Sequence, residues 1–274
     1  MQTLRYRSNN NAVYQLKEIL IDQGYNLQVS NYFDKDTDEA VKNFQKKNDL
    51  VVDGIVGSKT WAVLLSKGPE LSRNIDKLLS EKDLIDVAQE LGVELPAIKA
   101  VNEVESSGAG FLLNGWCKIL FEGHIFWRQL HSKGYNPEDF LKEGVEEILH
   151  KDWYRDGRYY QGGMKEHYRL QKAAALSMDK EVSDAAHEAC SWGSYQIMGF
   201  HAIPLGYSSV EHFVSHMNQH EREHLHAFSR FIQKNNLVTH LKSKDWRKFA
   251  RGYNGSGNVD VYSRKLETAY EKYK

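Results

Sequence analysis

The sequence predicts a mainly α chain: a small all-α domain of three helices, then a larger α+β domain that is mostly helical. Three observations predict it. Apolar residues recur at helical spacing along most of the 274 residues. A single short run, 118–125, combines β-favouring residues with alternation. Gly68-Pro69 breaks the chain between two patterned regions. The expected boundaries are a small domain over 1–68, a linker over 69–80 and a second domain over 81–274, in keeping with a chain longer than a typical single domain.

In the small domain Leu16, Ile19 and Leu20 give the first helical stripe. Asp36 or Thr37 is the expected N-cap of a second helix with Ala40, Val41 and Phe44 inside. Asp53-Gly54 marks a tight turn before a short third helix. Ser80 with Asp83 reads as a capping box for a helix over 81–91, which Gly92 ends. The next helix begins near Pro96. Run 118–125 is the strand candidate, and 135–168, rich in aromatics, glycines and charges, reads as an irregular insertion lining a groove. Ser208 with Glu211 is expected to cap a helix whose core stripe runs from Val210 and Phe213 to Phe228, Phe231 and Ile232.

The helix near Pro96 carries the most chemistry. At about 100° per residue, Ala97, Ile98, Ala100, Val101 and Val104 share one apolar arc, and Glu105 falls inside it. Glu103 falls on the opposite arc with Lys99 and Asn102, facing solvent; Gly108 and Gly110 then stop the helix. A carboxylate on an apolar face is disfavoured when ionised, and the negative end of the helix dipole acts the same way. A raised carboxyl pKa suits a general acid. The plainer alternative is a salt-bridged helix-end residue.

The net charge of −1 gives no basic field for nucleic acid or an anionic membrane, and no apolar run is long enough to span a bilayer. Two cysteines, Cys117 and Cys190, cannot build a disulfide framework and read as buried free thiols. His220-Glu-Arg-Glu-His224 satisfies the H-E-x-x-H zinc pattern, with His212 and His216 before it. A third ligand is not evident and the chain has 12 histidines, so a structural cluster in which Glu221 pairs with a histidine is the preferred reading. No cofactor and no metal are expected.

Val104-Glu105-Ser106-Ser107-Gly108-Ala109-Gly110 resembles the active-site segment of phage N-acetylmuramidase endolysins and, more distantly, of goose-type lysozymes and lytic transglycosylases. Lys118-Ile-Leu-Phe-Glu122-Gly-His, Gly163-Met-Lys-Glu-His-Tyr-Arg, Ser191-Trp-Gly-Ser-Tyr-Gln-Ile-Met-Gly199 and Phe249-Ala-Arg-Gly-Tyr-Asn-Gly255 match further blocks in order. Val13-Tyr-Gln-Leu, Phe33-Asp-Lys-Asp-Thr37, Ala40-Val-Lys-Asn-Phe-Gln45 and Asp53-Gly54 through Thr60-Trp61 resemble a small peptidoglycan-binding domain.

The resemblance implies a lysozyme-like catalytic domain with Glu105 as general acid and Glu122 as second carboxylate. Glu122 can be base, water positioner or structural anchor. Ser106, Tyr195, Gln196, Tyr253 and Asn254 would bind substrate, with Tyr253 reaching Glu105. Asp53, Gly54, Thr60 and Trp61 would serve the wall-binding domain. Trp153, Tyr154, Tyr159 and Tyr160 are either sugar platforms or ordinary packing. The expected reaction is cleavage of the β-1,4 bond from N-acetylmuramic acid to N-acetylglucosamine. The alternatives are a lytic transglycosylase, a non-catalytic wall-binding phage structural protein and the zinc peptidase. The partner implied is bacterial peptidoglycan, bound by a monomer. The first ten residues lack an apolar segment, so synthesis in a host cytoplasm without a signal peptide is expected, with a holin giving access to the wall.

Overall fold

A computed structural model of the chain describes residues 2–65, 77–106, 110–112, 115–154, 157 and 159–274. The chain forms two compact units, residues 1–109 with 235–274 and residues 110–234. The fold is mainly helical with one small sheet, as the sequence predicts.

The first unit begins with α1 (Asn11–Asp22), α2 (Lys35–Lys47) and α3 (Ser58–Leu65). Asn10 caps α1 by accepting from the Ala12 and Val13 amides. The cap of α2 is Asp34, two or three residues before the expected Asp36 or Thr37, because Asp34 Oδ1 takes both the Thr37 amide and the Thr37 hydroxyl. Its other oxygen meets Lys17 Nζ at 2.7 Å, and that lysine is wholly buried, also donating to Gln28 O and Ser30 Oγ. These partners hold Asp34 down at a pKa of about 2. Leu4, Val13, Leu16, Leu20, Phe33, Phe44 and Trp61 form the core of this part.

The unit continues with α4 (Glu81–Leu91) and α5 (Leu95–Glu105) and ends with α11 (Val238–Lys242), α12 (Trp246–Asn254) and α13 (Val259–Tyr273). The capping box at Ser80 and Asp83 forms, and Gly92 closes α4 in the left-handed region at φ 60°, as predicted. Pro96 lies in the first turn of α5. The Gly68-Pro69 break, most of the expected linker and the Gly108 stop lie outside the described residues.

The second unit holds a three-stranded antiparallel sheet, β1 (Ile119–Phe121), β2 (Cys190–Trp192) and β3 (Ile197–Met198), in that order. Ile119 pairs with Trp192 and Phe121 with Cys190. Around it stand α6 (Gly123–Ser132), α7 (Met164–Ala174), α8 (Lys180–Glu188), α9 (Val210–Met217) and α10 (Glu221–Lys234). The predicted strand over 118–125 is thus only three residues long, and the chain turns helical at Gly123. The histidine-rich helix divides at Asn218–His220, and Ser209, not Ser208, caps α9 by accepting from the His212 amide. No described helix is long and apolar enough to cross a membrane.

Candidate active site

Glu105 is the last residue of α5. Ala97, Ile98, Ala100 and Val101 are buried as the arc requires. Asn254, the last residue of α12, donates from Nδ2 to Glu105 Oε1 at 3.1 Å. Burial raises the Glu105 pKa against the opposing pull of Asn254 and Lys265. Its place at a helix C-terminus favours the protonated form as well.

The flanking expectations are partly redrawn. Tyr253 stacks on Phe249 (5.8 Å, 8°), and the hydrogen bond to Glu105 comes from its neighbour Asn254. Ser106 turns its hydroxyl back to Asn102 O and Oδ1, closing the helix end. Asn102 itself is buried. Glu103 is not solvated: its side chain is 19% exposed and accepts from Lys272 Nζ at 3.1 Å and from the Tyr273 hydroxyl. The C-terminal helix covers an arc that the sequence alone leaves open.

Glu122 sits immediately before α6, at its N-cap, not on a strand. Its carboxylate does not cap the helix; Oε2 accepts from the Tyr160 hydroxyl and lies 3.4 Å from His124 Nδ1. Burial raises the Glu122 pKa, while Tyr160 and the field of Arg169 lower it. The positive end of α6 favours the ionised form. His124 is pushed down to about 4 by its burial, with Arg128 and His150 adding to this, so it stands neutral beside Glu122. His124 stacks with His150, which in turn meets Tyr154 and Tyr159. Tyr160 therefore orients a carboxylate, whereas Trp153 is 56% exposed and open to a ligand.

The two carboxyls thus stand at opposite kinds of helix end. Glu105 sees a negative dipole end and Glu122 a positive one, which separates their tendencies to hold a proton.

In the 190–199 block, Gln196 is exposed with φ +50°. Its Oε1 accepts from Ser191 Oγ and its Nε2 donates to Gly193 O, both at 2.7 Å. The amide is fixed yet keeps a second N–H and a second lone pair for a ligand. A left-handed non-glycine residue held by its own side chain is the kind of strain that gathers at functional sites. Tyr195 does not share this exposure: it is 4% exposed and stacked on Phe228.

Two residues of the 163–173 block carry more than their motif suggests. Glu166 is fully buried; Oε2 accepts from Arg169 Nη1 at 2.8 Å and the Phe121 amide at 3.1 Å, and Oε1 from the Gln161 and Gly162 amides. Arg169 also donates to Phe121 O and Glu147 O. This pair fixes both ends of the chain around Glu122: strand β1 before it and the Tyr160 loop across from it. An i, i+3 acid–base pair beside Leu170 on a buried helix face is a signal that the sequence offers.

The His-Glu-x-x-His helix turn acts as an anchor. Glu221 Oε1 accepts the Gly110 amide at 2.7 Å, a backbone partner. His224 Nδ1 accepts the Ser194 amide at 3.1 Å, and its Nε2 lies 2.7 Å from Met217 O. His220 Nδ1 accepts the Arg222 amide within its own turn. Among the described residues no group of three His, Cys, Asp or Glu side chains is gathered to hold a metal. Cys117 and Cys190 are buried free thiols.

In the small domain, the Gln45 amide organises the turn that holds Asp53 and Gly54. Nε2 donates to Asp53 Oδ1 (2.7 Å), and Oε1 accepts the Asp53 and Gly54 amides. Gly54 has φ +71°, and a Cβ there would meet Asp38 Oδ1 at 2.4 Å. Thr60 Oγ1 donates to Ile55 O, and Trp61, 5% exposed, donates from Nε1 to Gln2 O. All four residues build the fold of this part.

A mainly helical, lysozyme-like fold, together with the family and structural matches that follow, defines a glycosidase-type hydrolase. Residues 94–274 match the family described as N-acetylmuramidase, and residues 9–64 match a peptidoglycan binding domain. A solved structure, the crystal structure of Burkholderia AP3 phage endolysin, is 38% identical with a TM-score of 0.86, covering 100% of this chain and 98% of that one. No curated protein matches this chain. The chain belongs to the N-acetylmuramidase family.

Proposed function

We propose that this protein is an endolysin that hydrolyses the β-1,4 bond between N-acetylmuramic acid and N-acetylglucosamine in peptidoglycan. The observation that supports this most is that the two carboxyls, both raised by burial, stand at opposite kinds of helix end. Glu105, raised by burial and sitting at a helix C-terminus, protonates the departing sugar oxygen. Glu122, at a helix N-terminus with the Tyr160 hydroxyl on Oε2, keeps Oε1 for a water. Glycoside hydrolysis needs both roles. Gln196 contributes its spare amide N–H and lone pair to the sugar. Asp53, Gly54, Thr60 and Trp61 give the wall-binding region its shape. The protein acts as a monomer on the wall, without a cofactor, and reaches it with the aid of a holin.

Mass spectrometry of muropeptides released from purified sacculi tests the reading. Hydrolysis gives reducing muramic-acid ends. A lytic transglycosylase would give products lighter by one water with no reducing ends, and the carboxylate at Glu122 is the feature that disfavours it. Independent boundaries at 68 and 80 are part of the proposal, with residues 1–68 sufficient to pellet with insoluble peptidoglycan.

A further inference from the structure

The peptidoglycan-binding region touches the helix that carries Glu105. Glu81, in the first turn of α4, accepts the Val52 amide at 3.0 Å with one carboxylate oxygen. Its other oxygen pairs with Lys99 of α5. Lys99 Nζ also donates to Val52 O at 3.2 Å. Both peptide groups of Val52 are therefore taken by side chains of α4 and α5, at a junction where Lys99 and Glu81 are only 13% and 24% exposed. The next residue, Asp53, is locked to Gln45 and to the Ile55 amide, so the turn presents Val52 on a stiff frame.

One turn further along the same face of α5, Glu103 accepts from Lys272 and Tyr273. The Tyr273 ring lies 5.5 Å from Lys99 Nζ. The outer face of α5 is thus clamped by two segments distant in sequence, one of them belonging to the wall-binding region. Glu105 lies two residues beyond Glu103 at the end of this helix. A reacting group displaced by about 1 Å can lose on the order of a hundredfold in rate.

We propose that the Val52–Asp53 turn of the wall-binding region is a positioning element for the catalytic helix, joined to it through Lys99 and Glu81. An anchor alone acts by raising effective concentration at the wall and does nothing for soluble substrates. A positioning turn changes turnover of soluble substrates too. The inference rests on the assignment of Glu105 as the acid.

The test uses the full chain with soluble glycan fragments of peptidoglycan. Lys99→Met keeps the aliphatic stem and removes the three donors. The expected result is a fall in kcat of roughly tenfold with KM little changed. Amide exchange across residues 95–105 becomes faster, pelleting with insoluble peptidoglycan is unchanged, and Lys99→Arg restores kcat. Should Lys99→Met fail to fold, Glu81→Gln gives the same readout with a smaller fall, since it keeps an acceptor for the Val52 amide. Parental kcat and parental exchange in the variant that folds would overturn the proposal and leave the region as a simple anchor. Glu105→Gln, run beside them, separates the two readings: an active Glu105→Gln defeats the assignment of the acid, whereas an inactive one with unaffected Lys99 and Glu81 variants defeats only the coupling.

Discussion

Asn254 Nδ2 donates to Glu105 Oε1 at 3.1 Å, joining the last residues of two helices that lie 149 positions apart in the chain. The bond occupies one of the two carboxyl oxygens of Glu105.

Glu105→Gln retains the shape and an acceptor for Asn254 but cannot give up a proton. Turnover of sacculi is expected to fall by ~10²–10⁴-fold. Glu103→Gln keeps an acceptor for the Tyr273 hydroxyl and is expected to lose less than about tenfold, well short of the loss of a general acid. Clearance assays on both variants decide the matter, and a dead Glu103→Gln with a live Glu105→Gln would reverse the assignment.

Asn254→Ala tests the pH dependence of the acid. As the proposed general acid Glu105 works protonated, so activity is expected to be lost as pH rises through its pKa. Asn254 favours the ionised form; removing it raises that pKa further. The alkaline limb of kcat/KM should move up by about one pH unit, the worth of one hydrogen bond to a charged group. A limb that stays in place would mean that another group sets it.

Tyr160→Phe tests the second carboxylate. As the proposed second carboxylate Glu122 works ionised, so activity is expected to be lost as pH falls through its pKa. Losing the Tyr160 donor raises that pKa, and the acid limb should also move up by about one pH unit. The variant therefore narrows the active range from the acid side, whereas Asn254→Ala widens it on the alkaline side. A pH–rate profile on soluble fragments reads both.

Arg169→Met leaves the buried Glu166 without its cation. Breaking such a pair costs about 3–5 kcal/mol, and the melting temperature should fall by roughly 10 °C. Exchanging both residues for Met and Gln should recover part of the loss. A melting curve for Arg169→Met that overlays the parent would contradict the role given to this pair.

Chelation should leave lysis untouched, because Glu221 Oε1 and both ring nitrogens of His224 are held by Gly110, Ser194 and Met217. Glu221→Ala orphans a buried amide and should lower stability by about 1–3 kcal/mol. Lysis abolished by EDTA and restored by zinc would revive the metal reading of this motif.

The sequence by itself determined whatever depends on neighbours a few positions away. Ser80 and Asp83 announce their helix because a capping box is closed within four residues, and Gly92 ends it because the left-handed region suits glycine. The arc of Ala97, Ile98, Ala100 and Val101 places Glu105 by helical periodicity alone. Local signals falter where two conformations compete. Run 118–125 alternates like a strand, yet only Ile119–Phe121 find a partner in β2, and the chain is helical from Gly123, so Glu122 gains a helix N-terminus that no pattern announces. Only the tertiary structure decided that Glu103 is covered, that Asn254 and not Tyr253 donates to Glu105, and that Glu221 serves a backbone amide 111 positions away. Those contacts form when helices pack, and periodicity fixes which face of a helix is buried but not which residue, a hundred positions distant, arrives to meet it.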